Sequence, residues 1–151
     1  MPMTKRNELL ALAERAEKAT GPDRELDAAI AVAVRWRWEG WEEGDLCIES
    51  RPLAFVIEAV HNRRSSIWAN VPTYTASVDA ALMLVPEGWA IERLTMWPGK
   101  GSSCNLFGTH EGPNGERWHN RSDGRVESEA ATPALALIAS ICRATAENTH
   151  V

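Results

Sequence analysis

The sequence predicts an α+β fold: an antiparallel sheet of three to five strands with helices on both faces, an α-β-α sandwich, preceded by an N-terminal helical hairpin. Three observations carry this. Apolar residues recur at helical spacing near both ends of the chain. Between residues 89 and 130, short alternating segments are separated by turns rich in Gly and Pro. With 151 residues, 44% of them hydrophobic, the chain is long enough for one core without a disulfide or metal staple. The organisation expected is a single domain, 1–151, with the helical hairpin over 1–35, a Trp-rich insert over 36–70 and an α-β-β-β-α core over 71–151.

In the first helix, running from Thr4 to Ala19, Leu9, Leu12, Ala13 and Ala16 recur on one side, and Gly21-Pro22 stops it. Pro22 is expected at the first position of a second helix, whose positive end suits Asp23 and Glu25 and whose stripe is Leu26, Ile30, Ala33 and Val34. Gly40 and Gly44 end helical patterning, and a loop or short strand begins near Arg35-Trp-Arg-Trp-Glu-Gly-Trp41. From Leu53 to Val60 the apolar run fits a buried helix or a buried strand by period, with a short helix favoured. Ser77 is an N-cap followed by Val78, Ala81, Leu82 and Val85, and Pro86-Glu-Gly88 ends that helix.

Trp89 to Trp97 alternates as a strand that places Trp89 and Trp97 on one face. After the turn Pro98-Gly-Lys-Gly101, Ser103 to Thr109 completes a β-hairpin. Two further turns, at 111–115 and 122–124, leave room for strands at 116–120 and 125–130, making an antiparallel meander. Thr132-Pro133 supplies a cap and a first-turn proline for a last helix reaching Glu147, lined by Leu135, Ile138, Ile141 and Cys142.

Composition excludes several classes. The longest apolar runs, 28–34 and 134–141, are far shorter than the ~20 residues of a bilayer span. The N-terminus has no apolar signal region, so the expected location is the cytoplasm. Cys47, Cys104 and Cys142 are odd in number and irregularly spaced, as reduced thiols are. Of the net charge of -5, residues 1–50 carry most, with seven bases against eleven acids. The acidic run Glu39, Glu42, Glu43, Asp45 and Glu49 argues against wrapping duplex nucleic acid. The stretch from Arg93 to Arg125 is locally basic, which suits a small anionic ligand.

No phosphate-loop, dinucleotide, nucleophile-elbow or zinc-protease motif is present, so no catalytic residue, metal or cofactor is assigned. Cys104, His110 and His119 match no metal-ligand spacing, and His61 beside Asn62-Arg63-Arg64 reads as a solvated side chain. The aromatic balance is unusual, with seven Trp against two Phe and one Tyr. Trp36, Trp38 and Trp118 each lie beside a base, and Trp97 lies three residues from Lys100. An indole face stacks on a nucleobase and a neighbouring cation pairs with phosphate, although packing in a core explains such Trp equally well. Arg93, Lys100, Arg117 and Arg121, interleaved with Trp97, Phe107 and Trp118, form the candidate anion site, closed by Arg143 of the last helix.

Four segments carry a family resemblance: Ala19-Thr-Gly-Pro-Asp-Arg-Glu-Leu-Asp-Ala-Ala-Ile30, Tyr74-Thr-Ala-Ser-Val-Asp-Ala-Ala81, Leu84-Val-Pro-Glu-Gly-Trp89 and Ala131-Thr-Pro-Ala-Leu-Ala-Leu137. Together they resemble small phage and prophage proteins of the phage ABA sandwich type. The resemblance implies an antiparallel sheet with helices on both faces. It extends to Thoeris anti-defence sponges, which sequester cyclic ADP-ribose signals or cyclic oligonucleotides without cleaving them. In those proteins, aromatic and Arg residues of the strands and last helix hold the ligand between protomers. The residues of matching type here are Trp97, Asn105, Phe107, Arg117 and Arg143. The Trp-rich insert departs from the family pattern.

The expected function is a phage-encoded anti-defence protein, not an enzyme, that sequesters a cyclic nucleotide messenger as a homo-oligomer. The alternative is an interaction protein that inhibits a host or viral macromolecule through its Trp-rich, partly acidic surface. A third, weaker reading is a nucleotide hydrolase or transferase using His61, His110 or His119.

Overall fold

The computed structural model describes residues 4–33, 72–111, 113–118 and 124–148. Helix α1 spans Lys5–Lys18, capped by Thr4, whose Oγ1 accepts from the Asn7 N–H at 3.2 Å, and its apolar stripe is buried as the spacing predicts. Helix α2 spans Arg24–Ala33, starting two residues later than a first-turn Pro22 would place it. Asp23 takes the cap instead, its Oδ1 accepting from Leu26 N at 3.1 Å and its carbonyl from Asp27 N at 2.9 Å. A carboxylate there satisfies a helix-end N–H that proline cannot. The insert at 36–70, with the short helix expected from Leu53 to Val60, lies outside the described residues, as do Trp36, Trp38, Cys47, His61, His119 and Arg121.

Helix α3 is short, Val78–Leu82, with Ser77 as its cap. The expected continuation to Val85 tightens into i→i+3 bonds, Met83 N to Ala80 O, Leu84 N to Ala81 O and Val85 N to Leu82 O. Pro86 drives the residue before it out of helical geometry.

Strand β1, Trp89–Trp97, and strand β2, Gly101–Gly108, form the expected hairpin. The chain then leaves the sheet, because Thr109 N and Oγ1 both bond to Gly88 O at 2.6 and 3.1 Å. A separate small ladder of β3, His110–Glu111, and β4, Arg117–Trp118, follows. Strand β5, Arg125–Ala130, returns to pair with β2, so the main sheet is three-stranded and antiparallel in the order β1-β2-β5. The expected unbroken meander is therefore interrupted, and β4 does not join the main sheet.

A bulge in β1 sets the faces of the sheet. Ile91 pairs with Leu106, but the next pair is Arg93 with Asn105, leaving Glu92 as the extra residue. The phase of the strand slips by one there. Trp89, Ile91 and Leu94 pack on the core, whereas Trp97 stands half exposed beyond it. The expectation that Trp89 and Trp97 share a face is thus corrected. On the far face, Glu92 pairs with Arg125 at 2.7 Å.

Helix α4, Pro133–Glu147, begins at Thr132, whose Oγ1 accepts from Leu135 N at 3.2 Å. It packs on β2, β5 and β1 on one side and on α1 and α3 elsewhere, and from Ala134 to Cys142 every residue is buried. Alternating Ala and branched side chains let neighbours approach it closely. The described helices stack on the Leu106 and Val126 face of the sheet, directly or through α4, and so supply one of the two expected helical layers.

One buried polar knot joins α2 to the segment before α3. Asp27, 1% exposed, accepts from Thr75 N at 2.8 Å through Oδ1 and from Arg24 Nη1 at 2.9 Å through Oδ2. Thr75 Oγ1 accepts from Asp23 N at 2.8 Å, and Arg24 also donates to Pro72 O at 3.2 Å. Beside it the buried Tyr74 hydroxyl has no protein partner, and burial, reinforced by the charge of Asp27, pushes its ionisation well up.

Burial also raises the Asp27 carboxyl above its ordinary 3.8, only partly offset by Thr75 and Arg24. A raised carboxyl favours the fold in its neutral form, so this contribution is complete below 3.8 and is lost as pH rises through the folded value. Denaturant unfolding across pH should show the stability of the wild type, measured against Asp27→Asn, falling from acid toward neutral pH.

Candidate functional site

The turn between β1 and β2 builds one wall of an open cleft of about 680 Å³. Pro98 and Gly99 occupy its two central positions, Gly99 with φ 75°, and Lys100 N donates to Trp97 O at 2.9 Å. Proline followed by a positive-φ glycine, closed by that bond, is the type II turn. It holds Trp97 and Lys100 at its two ends, both exposed and both lining the cleft. The remaining walls come from Met96, from Glu129 to Ala131 at the end of β5, and from Glu17 in the last turn of α1.

Glu17 is held from below. Arg143 of α4 donates through Nη2 to Glu17 Oε1 and through Nη1 to Ser128 Oγ at 2.8 Å, so its guanidinium ties α1, α4 and β5 together. Ser102 pairs in the sheet with Met96 and Ala130, both cleft residues, and its buried Oγ has no protein partner.

The site residues expected from the sequence separate into groups. Trp97 and Lys100 meet in the cleft. Arg93, Asn105 and Phe107 lie on the sheet face away from the helices, the face to which the bulge also turns Trp97, and there Arg93 and Asn105 are cross-strand partners and Phe107 pairs with Arg125. With its amide turned to suit its neighbours, Asn105 donates to Cys104 O and accepts from Arg125 Nη2, both at 3.2 Å. Arg117 and Trp118 form β4 on the separate ladder, and Arg121 lies outside the described residues. Arg143 sits on the helical side of the sheet, paired with Glu17, away from Asn105 and Phe107. Of these residues Trp97 and Lys100 line the cleft, and Arg93, Asn105, Phe107 and Arg143 lie outside its lining.

Sequence reasoning missed Glu17, which looks like any solvent-facing charge of an amphipathic helix. Its signal was its place: a carboxylate in the last turn of α1 opposes the helix dipole, unlike its neighbours Arg15 and Lys18. The ionisations that shift belong to the interior. Burial raises the Cys104 thiol to about 11 and the Cys142 thiol to about 12, and both thiols are free, as the irregular spacing implies. Among the described residues no three metal-ligating side chains gather, and no helix is long and apolar enough to cross a membrane.

Gly101 closes the cleft at a place where only glycine fits. It has φ 92°, and a Cβ there would stand 2.8 Å from the Ala130 carbonyl oxygen. Gly101→Ala should destabilise the fold by about 1–3 kcal/mol in thermal or denaturant unfolding.

No family model, curated protein or solved structure matches the chain, so the functional reading rests on this geometry and on the sequence.

Proposed function

We propose that the protein is a non-catalytic binding protein that sequesters a small cyclic nucleotide, of the cyclic ADP-ribose or cyclic oligonucleotide type, in the cleft at the β1–β2 turn. As a phage-encoded antagonist of host immune signalling, it acts in the host cytoplasm by stoichiometry rather than turnover. The observation that carries the reading is the pair at the cleft mouth. Trp97, 50% exposed, offers a flat stacking face, and Lys100 stands at the other end of the same four-residue turn. A nucleobase needs the first and a phosphate the second. A half-exposed indole is also an apolar surface that a second protomer can cover, which supports a homo-oligomer with ligand at or near the subunit boundary.

The alternative, an interaction protein directed at a macromolecule, is supported by a different patch. Leu82 and Met83 at the end of α3 are 42% and 77% exposed, away from the cleft lining.

Titration calorimetry with cyclic ADP-ribose, cyclic di-AMP and a cyclic trinucleotide, followed by recovery of the ligand after denaturation, tests the proposal. Binding with return of unaltered ligand is the expected result, and conversion of the ligand would replace the sponge by an enzyme. Trp97→Ala should weaken binding by about 1–3 kcal/mol through lost stacking. Lys100→Ala should weaken it by a similar amount and flatten the modest salt dependence. Neither exposed substitution should lower the unfolding midpoint appreciably.

A further inference from the structure

We infer that Glu17 reads hydroxyl donors on the sugar of a ribonucleotide ligand and that Arg143 is the residue that positions it, an inference that rests on the cleft being a nucleotide site. Glu17 lines the cleft with its side chain 28% exposed, and it stands where the dipole of α1 disfavours a carboxylate. Arg143 offsets that cost and also fixes the geometry. Its planar guanidinium is anchored at Ser128 Oγ as well as at Glu17 Oε1, so the carboxylate is oriented before any ligand arrives.

The accounting of lone pairs gives the ligand chemistry. A carboxylate is an acceptor only, with about four lone-pair sites. Arg143 uses Oε1, which leaves further acceptor sites on a residue that lines the cleft. A phosphate offers it no proton, whereas a sugar hydroxyl does. With the nucleobase on Trp97 and the phosphate at Lys100, the part of a nucleotide left for the Glu17 wall is the sugar that joins them. Ser102, which pairs in the sheet with the cleft residues Met96 and Ala130, carries a buried hydroxyl without a protein partner. Such an orphan is what a site retains for a water or ligand group.

A purely structural tie between α1 and α4 makes a different prediction from a sugar reader, and the ribose-to-deoxyribose preference separates them. The experiment is calorimetric titration of wild type, Glu17→Gln and Arg143→Lys with cyclic ADP-ribose and cyclic di-AMP, each against its 2′-deoxy counterpart. Wild type should prefer the ribose form of the probe it binds by about tenfold, the size of one hydrogen bond to a charged acceptor. Glu17→Gln should bring the two forms within about threefold by weakening the ribose form more than the deoxy form, and Arg143→Lys should fall between. Equal loss for both forms in Glu17→Gln would overturn the inference and leave Glu17 as a helix tie. A wild type that binds but does not discriminate would also overturn it while the nucleotide reading stands. A wild type that binds none of the four probes would remove that reading and this inference together.

Discussion

The structure depends on the burial of one helix from all sides. α4 is so nearly free of polar side chains that sheet, α1 and α3 must all cover it, and the order of the other elements follows from that need. Ser140 satisfies its hydroxyl inside the core by donating to Cys104 O at 2.8 Å. Arg143 is the charge between Pro133 and Ala146, and it can be half-buried because Glu17 and Ser128 meet it. Because the pair is only partly buried, losing one partner weakens the tie between α1 and α4 rather than stranding a charge without water. The same requirement that closes the core therefore brings a carboxylate from the N-terminal helix to the rim of the cleft. Core and candidate site share one ion pair.

The polar knot around Asp27 does comparable work at the other end of α2. It ties the helical pair to residues 72–75, far away in sequence, through bonds to backbone groups rather than through apolar contact. Bonds of that kind have a fixed geometry, so they orient α2 against the chain that leads into α3. That segment is the Tyr74-Thr75 pair that opens the quoted Tyr-Thr-Ala-Ser motif. Its residue types now have physical reasons: Thr75 for the knot, Ser77 for the cap of α3, and Tyr74 for its buried ring.

Local chemistry was the legible part of the sequence. Ser77 and Thr132 cap helices because a short hydroxyl side chain before a periodic run has one favourable use, and both were readable, whereas the periodicity takes Thr4, the cap of α1, as the first helical residue. The proline and glycine of the β1–β2 turn were readable for the same reason. The slip in β1 was not, since a single alternating pattern fitted the whole strand. The adjacent charges Glu92-Arg93 between Ile91 and Leu94 are its trace, two polar residues in succession where strict alternation allows one. The cleft was still less legible. Glu17 and Arg143 stand 126 residues apart, and a helix pattern reports only which side is apolar, not which solvent-side charge will find a distant partner. The resemblance assigns Arg143 to the ligand, and in the structure its guanidinium is engaged by Glu17 and Ser128.

The bulge at Glu92 has a consequence for life at high abundance. Among the described residues β1 is an edge strand of the main sheet, a liability that grows with the abundance of any protein. A flat apolar edge of nine residues would invite strands of other copies to add to it, and crowding would make that addition worse. The extra residue twists the ladder at mid-strand, so an incoming strand meets no unbroken register, while the Glu92 side chain lies over the far face of the sheet in its pair with Arg125 of β5. What looks like an irregularity in the strand is, on these grounds, an obstacle to edge-to-edge addition.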